Sequence, residues 1–454
     1  MIHCYSLIVF ILTCQFLSAQ SIEKLSSEQL KQDFQFLIQS IQQHNPTLGQ
    51  YNSLGPIKQS WDSLASQIKA PLSALQYHQI LARAVALINE GHLILGDKEA
   101  PFFSGFFNEE FKILPLEVRW INQRLFVWRN YSPDSSLSKG AEILTINDKS
   151  PSDIQSLVFP YISADGHIQT YKDHIFAKEF AANYFWFVEQ ASNFRIKYRT
   201  AYSEKVQKQT LAAISRPQMS KWSIKKGFQK ETALGINQIY SWYQNEAIAV
   251  LRLRDFDAAN CSKYQIEANS LYEKIFKRLR ENKVQHLIID LRDNKGGLKE
   301  FADELMAYTL LKNKKGCYRT LSNADGQVLH SFFPKRNRWY FKGSIYVLVN
   351  GATFSTAALM AQYLKAYSNA IIIGEETGSR YEGFAAGTYH YCRLPHSTIL
   401  VGIPNKWVQN QLVSSPKQKN RGLIPDYPIQ LSIEALLRKK DLALEKAYDL
   451  ISNP

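Results

Sequence analysis

The sequence predicts a multidomain α+β protein, and three changes of pattern along its 454 residues support that prediction. Residues 21–105 repeat apolar side chains at helical spacing. Residues 106–200 contain short strands in which apolar positions alternate or run together. From residue 236 to 440, strands and helices alternate, which predicts a layered core with largely parallel strands. Residues 441–454 are expected to form a C-terminal helix.

Residues 1–20 contain no Lys, Arg, Asp or Glu, and their apolar run is shorter than the roughly 20 residues that cross a bilayer. The small residues Ser18 and Ala19 follow that run. This pattern is typical of a signal peptide cleaved near Gln20, and the alternative is a buried strand or helix. Since no other uncharged run approaches transmembrane length, we expect an exported chain, periplasmic or extracellular, without a membrane span.

The helical region begins with a capping-box signal formed by Ser26 and Gln29. The first helix runs until Pro46 stops it, and a second helix ends at Gly91. His92 follows that stop directly. A lone histidine is more often structural than catalytic, so both interpretations stay open at this point.

The pattern of the middle region predicts a compact β-rich module of about 90 residues, an ordinary size for a domain. The segments PLEVRWI and RLFVWRN form strands, and GAEILTINDKS is a strand that enters a turn at Asn147-Asp148. Residues 201–235 are polar and basic with weak periodicity. We therefore predict that they form a linker.

Two strand-to-helix junctions of the core have features that catalysis requires. In IIDLRDNKGG, Gly296 and Gly297 free the backbone to turn and to expose N–H groups. In VNGATFSTAALM, Ser355 lies where a strand ends and a helix begins, beside the unsatisfied N–H of Thr356. A serine nucleophile that generates an oxyanion needs this arrangement. The alternative is that Ser355 only caps the helix.

Four segments together resemble the S41 serine peptidases, which include the C-terminal processing peptidases and the tricorn core. They are IIDLRDNKGG, VNGATFSTAALMAQYLKAYSNAIIIGEETG, LPHSTILVGIP and RGLIPDYPI, in the family's order. The resemblance covers roughly residues 236–430 and extends more weakly towards the N-terminus. It implies a ClpP/crotonase-like α/β catalytic core and a PDZ-like module that holds a substrate's extended C-terminus by strand addition.

The resemblance also implies roles for individual residues. Ser355 matches the family's nucleophile, and the N–H of Thr356, with one from Gly296 or Gly297, matches the oxyanion hole. Two further positions are implied to support the site structurally: Asp290 and Arg292.

The general base distinguishes two branches of the family. Processing peptidases use a lysine after the GE-x-T segment, where this chain has Arg380, and arginine stays protonated. The tricorn-like branch takes a histidine from the N-terminal helical region, which implies His92 as the base. This chain departs from the tricorn pattern twice: Gly91 replaces a serine, and Lys419 or its neighbours replace a glutamate.

The residue that orients the histidine therefore stays open. Glu90 and Glu375 are candidates on charge alone, and each is equally compatible with a structural role. The sequence contains no HExxH and no Cys/His ligand spacing, so we expect neither a metal nor a cofactor.

Lys and Arg exceed Asp and Glu to give a net charge of +14, which first suggests nucleic-acid or anionic-surface binding. The basic residues form separate clusters without a nucleic-acid motif, so we interpret them as a surface property. We expect protein or peptide substrates and no nucleic acid. The sequence predicts an exported serine endopeptidase, and the alternative is a weak or inactive protein of this fold that binds peptides or apolar ligands.

Overall fold

The computed structural model describes residues 25–96, 111–201, 203–228, 240–323, 325–411 and 419–453. The predicted signal segment lies outside these ranges, as does the predicted boundary between residues 105 and 106. Within the described ranges, no helix is long and apolar enough to cross a membrane.

Three helices form the N-terminal region, and their bounds are Ser27–His44, Leu54–Ser66 and Ala74–Ala86. The predicted capping box is present: the Gln29 N–H donates to Ser26 Oγ at 3.2 Å, and the Ser26 N–H donates to Gln29 Oε1 at 2.9 Å. The third helix ends at Ala86, earlier than the sequence predicts. Turns lead from there to His92, and Asn89 makes the reversal with a φ of 58°.

A five-stranded antiparallel sheet forms the middle module, and each strand pairs with the one before it. In order, the strands are Leu116–Ile121, Arg124–Asn130, Glu142–Ile146, Asn193–Arg199 and Gln207–Ala212. Between the third and fourth strands the chain forms helices Pro151–Val158, Phe159–Tyr161 (3-10), Gln169–Lys178 and Phe180–Phe187. The predicted turn after the third strand is present, with φ values of 47° at Asn147 and 64° at Asp148. The identity of this module as PDZ-like stays a prediction.

The prediction of a linker over 201–235 is wrong for most of its described residues. Strand Gln207–Ala212 forms the edge of the module's sheet, and Ile214–Ser215 pairs with Lys112–Ile113. Helix Arg216–Lys225 then begins at a capping box. The edge strand is mostly polar because only one of its residues is buried, and the helix buries none of its side chains. Neither segment therefore has strong apolar periodicity.

The core contains a six-stranded sheet whose strands are parallel except for one edge pair. Across the sheet they are Tyr427–Pro428, Ile371–Gly374, Ser344–Val349, His286–Asp290, Ile248–Leu253 and Tyr240–Asn245. One face packs against helices Ala268–Glu281, Glu300–Thr309 and Thr356–Ser368. The other face packs against the predicted C-terminal helix, which runs from Leu442 to Ser452. Shorter helices are Ala258–Lys263 and Ile433–Leu437.

A second sheet attaches the N-terminal region to the core. Its long strand Leu400–Asn410 pairs with Gly383–Arg393, with Cys317–Asn323 and with the short strand Ile94–Leu95. Strand Val328–Phe332 forms an edge. Because Ile94 follows His92 by two residues, this pairing fixes the histidine against the core.

Candidate active site

Ser355 has a backbone conformation that an L-residue rarely adopts, with φ 53° and ψ −126°. Such a conformation costs about 1–3 kcal/mol and persists where the surroundings enforce it, often at functional sites. The Ser355 N–H donates to Ser379 Oγ at 2.8 Å. The serine side chain makes no capping hydrogen bond to helix Thr356–Ser368. The structure therefore does not support the alternative that Ser355 is simply a helix cap.

The predicted glycine turn lies directly against this serine. A Cβ placed on Gly296 would be 2.7 Å from Ser355 Cβ and 2.7 Å from the Thr356 nitrogen. Gly296 and Gly297 also have φ values of 88° and 134°, which favour glycine. Thr356 Oγ1 donates to the Gly297 carbonyl at 2.7 Å, so the two junctions are joined by a hydrogen bond.

Asn294, a residue not predicted from the sequence, organises this turn. Its buried side chain donates to the Leu253 carbonyl at 3.0 Å and accepts from the Gly296 N–H at 2.8 Å. The Gly296 N–H is therefore already engaged. The Thr356 N–H lies in the first turn of its helix, where no intrahelical acceptor exists. The sequence signal for this role was an asparagine two residues before a glycine pair.

The structure brings His92 next to the segment that contains Ser355. Its ring stacks on Phe354, the residue before Ser355, with 4.4 Å between ring centroids, and on Phe384 at 4.9 Å. His92 is 7% exposed, and its Nε2 is buried without a hydrogen-bond partner. No hydrogen bond therefore joins Nε2 to Ser355 Oγ. Such bonds are often long without substrate and shorten when the substrate binds.

Two carboxylates face the other ring nitrogen. Glu90 Oε1 is 3.3 Å from His92 Nδ1, and Asp165 Oδ1 is 3.7 Å from it. Glu375 instead accepts the Gly351 N–H at 3.2 Å, and burial raises its pKa. Of the two predicted candidates, only Glu90 thus contacts the histidine. Asp165 was missed because no recognisable motif surrounds it.

The electrostatics of this cluster favour a charged imidazole. Burial lowers the pKa of His92, but Asp165 and Glu90 outweigh that effect and raise it to about 9. Burial and the neighbouring Asp165 raise the pKa of Glu90. Burial also acts to raise the pKa of Asp165, but His92, Glu90 and the Gly91 N–H lower it below its ordinary value overall.

The same three residues form the candidate cation-binding cluster within the described ranges. One ligand atom from each of Glu90, His92 and Asp165 lies within 4.8 Å of the others, and all three side chains are buried. The Nδ1–Oε1 separation is that of a hydrogen bond between histidine and carboxylate. We therefore interpret the cluster as an ion-pair network.

Asp290 and Arg292, the two residues predicted to support the site structurally, lie where a core strand leads towards the glycine turn. The Arg292 guanidinium makes two hydrogen bonds to Asp290, at 2.8 and 2.7 Å, and two to Asp441, at 2.7 and 2.8 Å. Asp441 caps the C-terminal helix. The pair therefore ties the end of a core strand to that helix.

Arg380, which stands where processing peptidases have lysine, is buried, and its guanidinium is hydrogen-bonded. Its Nε donates to the Gly383 carbonyl at 2.7 Å, and its Nη1 donates to Asn420 Oδ1 at 3.0 Å. Arg421, near the position where the resemblance predicts a glutamate, forms an ion pair with Glu376. Both arginines therefore hold loops near the site.

Comparison with known proteins gives one match by family and several by fold. Residues 247–388 match the family model described as peptidase family S41. Mature CPAF is similar in fold, with a TM-score of 0.66 and 14% identity, covering 93% of this chain and 96% of that chain. CPAF complexed with lactacystin has a TM-score of 0.66 and 14% identity, and the match covers 93% of this chain and 97% of that chain. The photosystem II D1 C-terminal processing protease has a TM-score of 0.44 and 14% identity, and the match covers 91% of this chain and 95% of that chain. No curated protein sequence matches the chain.

Proposed function

We propose that this chain, whose residues 247–388 match the model of peptidase family S41, is an exported serine endopeptidase with Ser355 as nucleophile and His92 as general base. Its substrates are proteins or peptides. The proposal also assigns residues 1–20 as a signal peptide, so that the mature chain would start near residue 21. Sequencing the N-terminus of the mature protein would check this part separately, and a retained Met1 would contradict it.

In the proposed reaction, Ser355 Oγ attacks the carbonyl carbon of the scissile peptide while its proton passes to His92 Nε2. The tetrahedral oxyanion would accept hydrogen bonds from the Thr356 N–H and the glycine turn. Gly297 is the candidate in that turn, since the Gly296 N–H already donates to Asn294. The imidazolium then protonates the leaving amine, and a water molecule, deprotonated by the same histidine, releases the acyl group from the serine.

The observation that supports this proposal best is the strained backbone of Ser355 beside the glycine turn. A serine that only ended a strand or capped a helix would gain nothing from φ 53° and ψ −126°. In this conformation the hydroxyl is left without a cap bond, while Thr356 N–H and Gly296 lie beside it. Both features are what a nucleophile needs.

The alternative, a protein of the same fold that binds peptides or apolar ligands without hydrolysis, is favoured by one observation. His92 Nε2 makes no hydrogen bond, so the serine is not activated in this conformation. The peptidase proposal requires the two groups to approach when a substrate binds.

Labelling with a fluorophosphonate probe separates these two functions, since the probe reacts only with an activated serine. We expect wild-type protein to be labelled, Ser355→Ala to remain unlabelled, and a matched control with an exposed serine replaced, Ser66→Ala, to react like wild type. Hydrolysis of a casein substrate should follow the same order. Absence of labelling in wild type, or equal labelling of Ser355→Ala, would reject the peptidase function.

A further inference from the structure

We propose that Asp165 is the positioning residue for His92 and that it acts with Glu90 as a pair of carboxylates on the Nδ1 side of the ring. This inference rests on the proposed role of His92 as the base. The two carboxylates come from different parts of the chain: Glu90 is two residues before the histidine, whereas Asp165 lies between the middle module's 3-10 helix and helix Gln169–Lys178.

Glu90 is already saturated with hydrogen bonds. Its Oε2 accepts from Thr47 Oγ1 at 3.0 Å, from the Tyr51 hydroxyl at 3.0 Å and from the Ala385 N–H at 3.1 Å. Its Oε1 accepts from the His92 N–H at 3.2 Å. Because these donors come from two helical-region loops and a core strand, Glu90 is a fixed structural anchor, and its Oε1 also lies within hydrogen-bond distance of Nδ1, at 3.3 Å.

Asp165 has unused capacity to accept hydrogen bonds. Its Oδ1 accepts from the Gly91 N–H at 2.7 Å and lies 3.7 Å from His92 Nδ1. Its Oδ2 is buried without a hydrogen-bond partner in the described chain. A buried carboxylate oxygen without a donor is costly, and a charged or Nδ1-protonated imidazole beside it offsets that cost. The Asp165 carboxylate therefore stabilises the protonated ring.

The loop that carries Asp165 is held on both sides. The Gly166 N–H donates to the Asn89 carbonyl at 2.9 Å, and the His167 N–H donates to the Asn420 carbonyl at 2.9 Å. Ser163 Oγ donates to the Glu90 carbonyl at 2.8 Å. These bonds join the loop to the histidine segment and to the loop before the final core strand. Asp165 is thus held in place by its neighbours in the chain.

Gly91 makes the approach of Asp165 sterically acceptable. A Cβ at this position would lie 2.9 Å from Asp165 Oδ1 and 3.2 Å from the ring of Phe354. Any larger residue at 91 would push the aspartate away from the ring or displace the aromatic residue next to Ser355. The absence of a side chain here is therefore part of the arrangement that brings Asp165 to the histidine.

The remaining titratable and charged groups around the cluster are tyrosines and one arginine. Tyr51 binds Glu90, and the Arg380 guanidinium lies 4.6 Å from the Tyr51 ring centroid. Burial raises the pKa of Tyr171 and of Tyr389 well above neutral, and the charge of Asp165 raises both further. None of the tyrosines competes as an anion at neutral pH. The carboxylate pair thus determines which nitrogen of His92 keeps the proton once the ring is neutral: Nδ1 is protonated, and Nε2 has the lone pair for Ser355.

The test follows the ring nitrogens of His92 directly, by NMR on full-length protein selectively labelled with ¹⁵N-histidine. Loss of one signal in His92→Gln assigns the resonance. In wild type we expect the neutral ring to carry its proton on Nδ1, and in Asp165→Asn we expect the ring to titrate roughly 1–2 pH units lower, as for the loss of one nearby opposite charge. A neutral wild-type ring protonated on Nε2 would overturn the inference, even if Asp165→Asn did not fold.

Asp33→Asn is the matched control, because Asp33 is also a fully buried aspartate that accepts two backbone N–H groups, but those of His396 and Ser397. In this variant the His92 ring should titrate at the same pH as in wild type. An unchanged titration in Asp165→Asn would equally reject the inference. Since this readout needs no turnover, its failure is distinguishable from failure of the peptidase function, which is measured by fluorophosphonate labelling.

Discussion

The two sides of the proposed active site, that of the nucleophile and that of the base, are built in different ways. Ser355, Thr356 and the glycine turn come from neighbouring strands of one parallel sheet, all within the residues that match the S41 family model. His92, Glu90 and Asp165 lie outside residues 247–388 and come from two separate regions. The nucleophile therefore depends on the local geometry of one domain, whereas the base depends on the docking of the others.

The largest effect in the comparison is expected from removing the base. His92→Gln should lower kcat/KM by about 10²- to 10⁴-fold, the usual contribution of a general base. Thermal stability should fall as well, because the buried imidazole pairs with Glu90 and Asp165. Peptide hydrolysis and thermal unfolding measured on the same preparation would check this. A variant with wild-type turnover would remove His92 from the mechanism and leave the nucleophile side to act with another base.

The nucleophile side can be perturbed separately at the glycine turn. Gly296→Ala should lower kcat/KM by roughly 10²-fold, similar to the loss of one oxyanion donor, because its Cβ would meet both Ser355 and Thr356. Gly316→Ala is the matched control: it has a similar φ of 99° but open space around its Cβ. It should have the backbone strain without the loss of activity. Equal kinetic losses in both variants would show that strain alone is responsible.

A smaller, graded effect should appear in the pH dependence. Because the pKa of His92 is raised to about 9, kcat/KM should rise about tenfold per pH unit from neutral pH until it levels off near pH 9. The raised pKa adds stability that is fully present below the ordinary value of 6.5 and is lost as pH rises through 9. Activity and stability should thus change in opposite directions. A plateau already reached at pH 7.5 would contradict this electrostatic account.

The sequence predicted the nucleophile side more completely than the base side, for a physical reason. A strand end, a glycine pair and a helix start are short-range patterns, and the structure brings Ser355, Gly296 and Thr356 together as expected. The contact between His92 and Asp165 depends on how two regions dock, and no local pattern encodes such docking. The same reason explains why Glu375 was an equally good candidate from charge alone, although it binds Gly351 instead.

The linker prediction failed for a related reason. Apolar periodicity reveals an element only when one of its faces is buried. Strand Gln207–Ala212 lies at the edge of a sheet, and helix Arg216–Lys225 lies on the surface, so both have the composition of a loop. Their hydrogen bonding, a paired strand and a capping box, gives little signal in composition. The capping residues Ser215 and Gln218 were the available clue.

The short pairing of Ile94–Leu95 with Val401 and Gly402 can form only late in synthesis of the chain. The base leaves the ribosome long before the nucleophile, and the strand that holds it in place comes last of the three. A growing chain in which this sheet has not yet formed therefore lacks the proposed catalytic pair. In the proposed enzyme, hydrolytic competence would arise only when the second sheet closes, which protects the unfinished polypeptide from cutting itself or its neighbours.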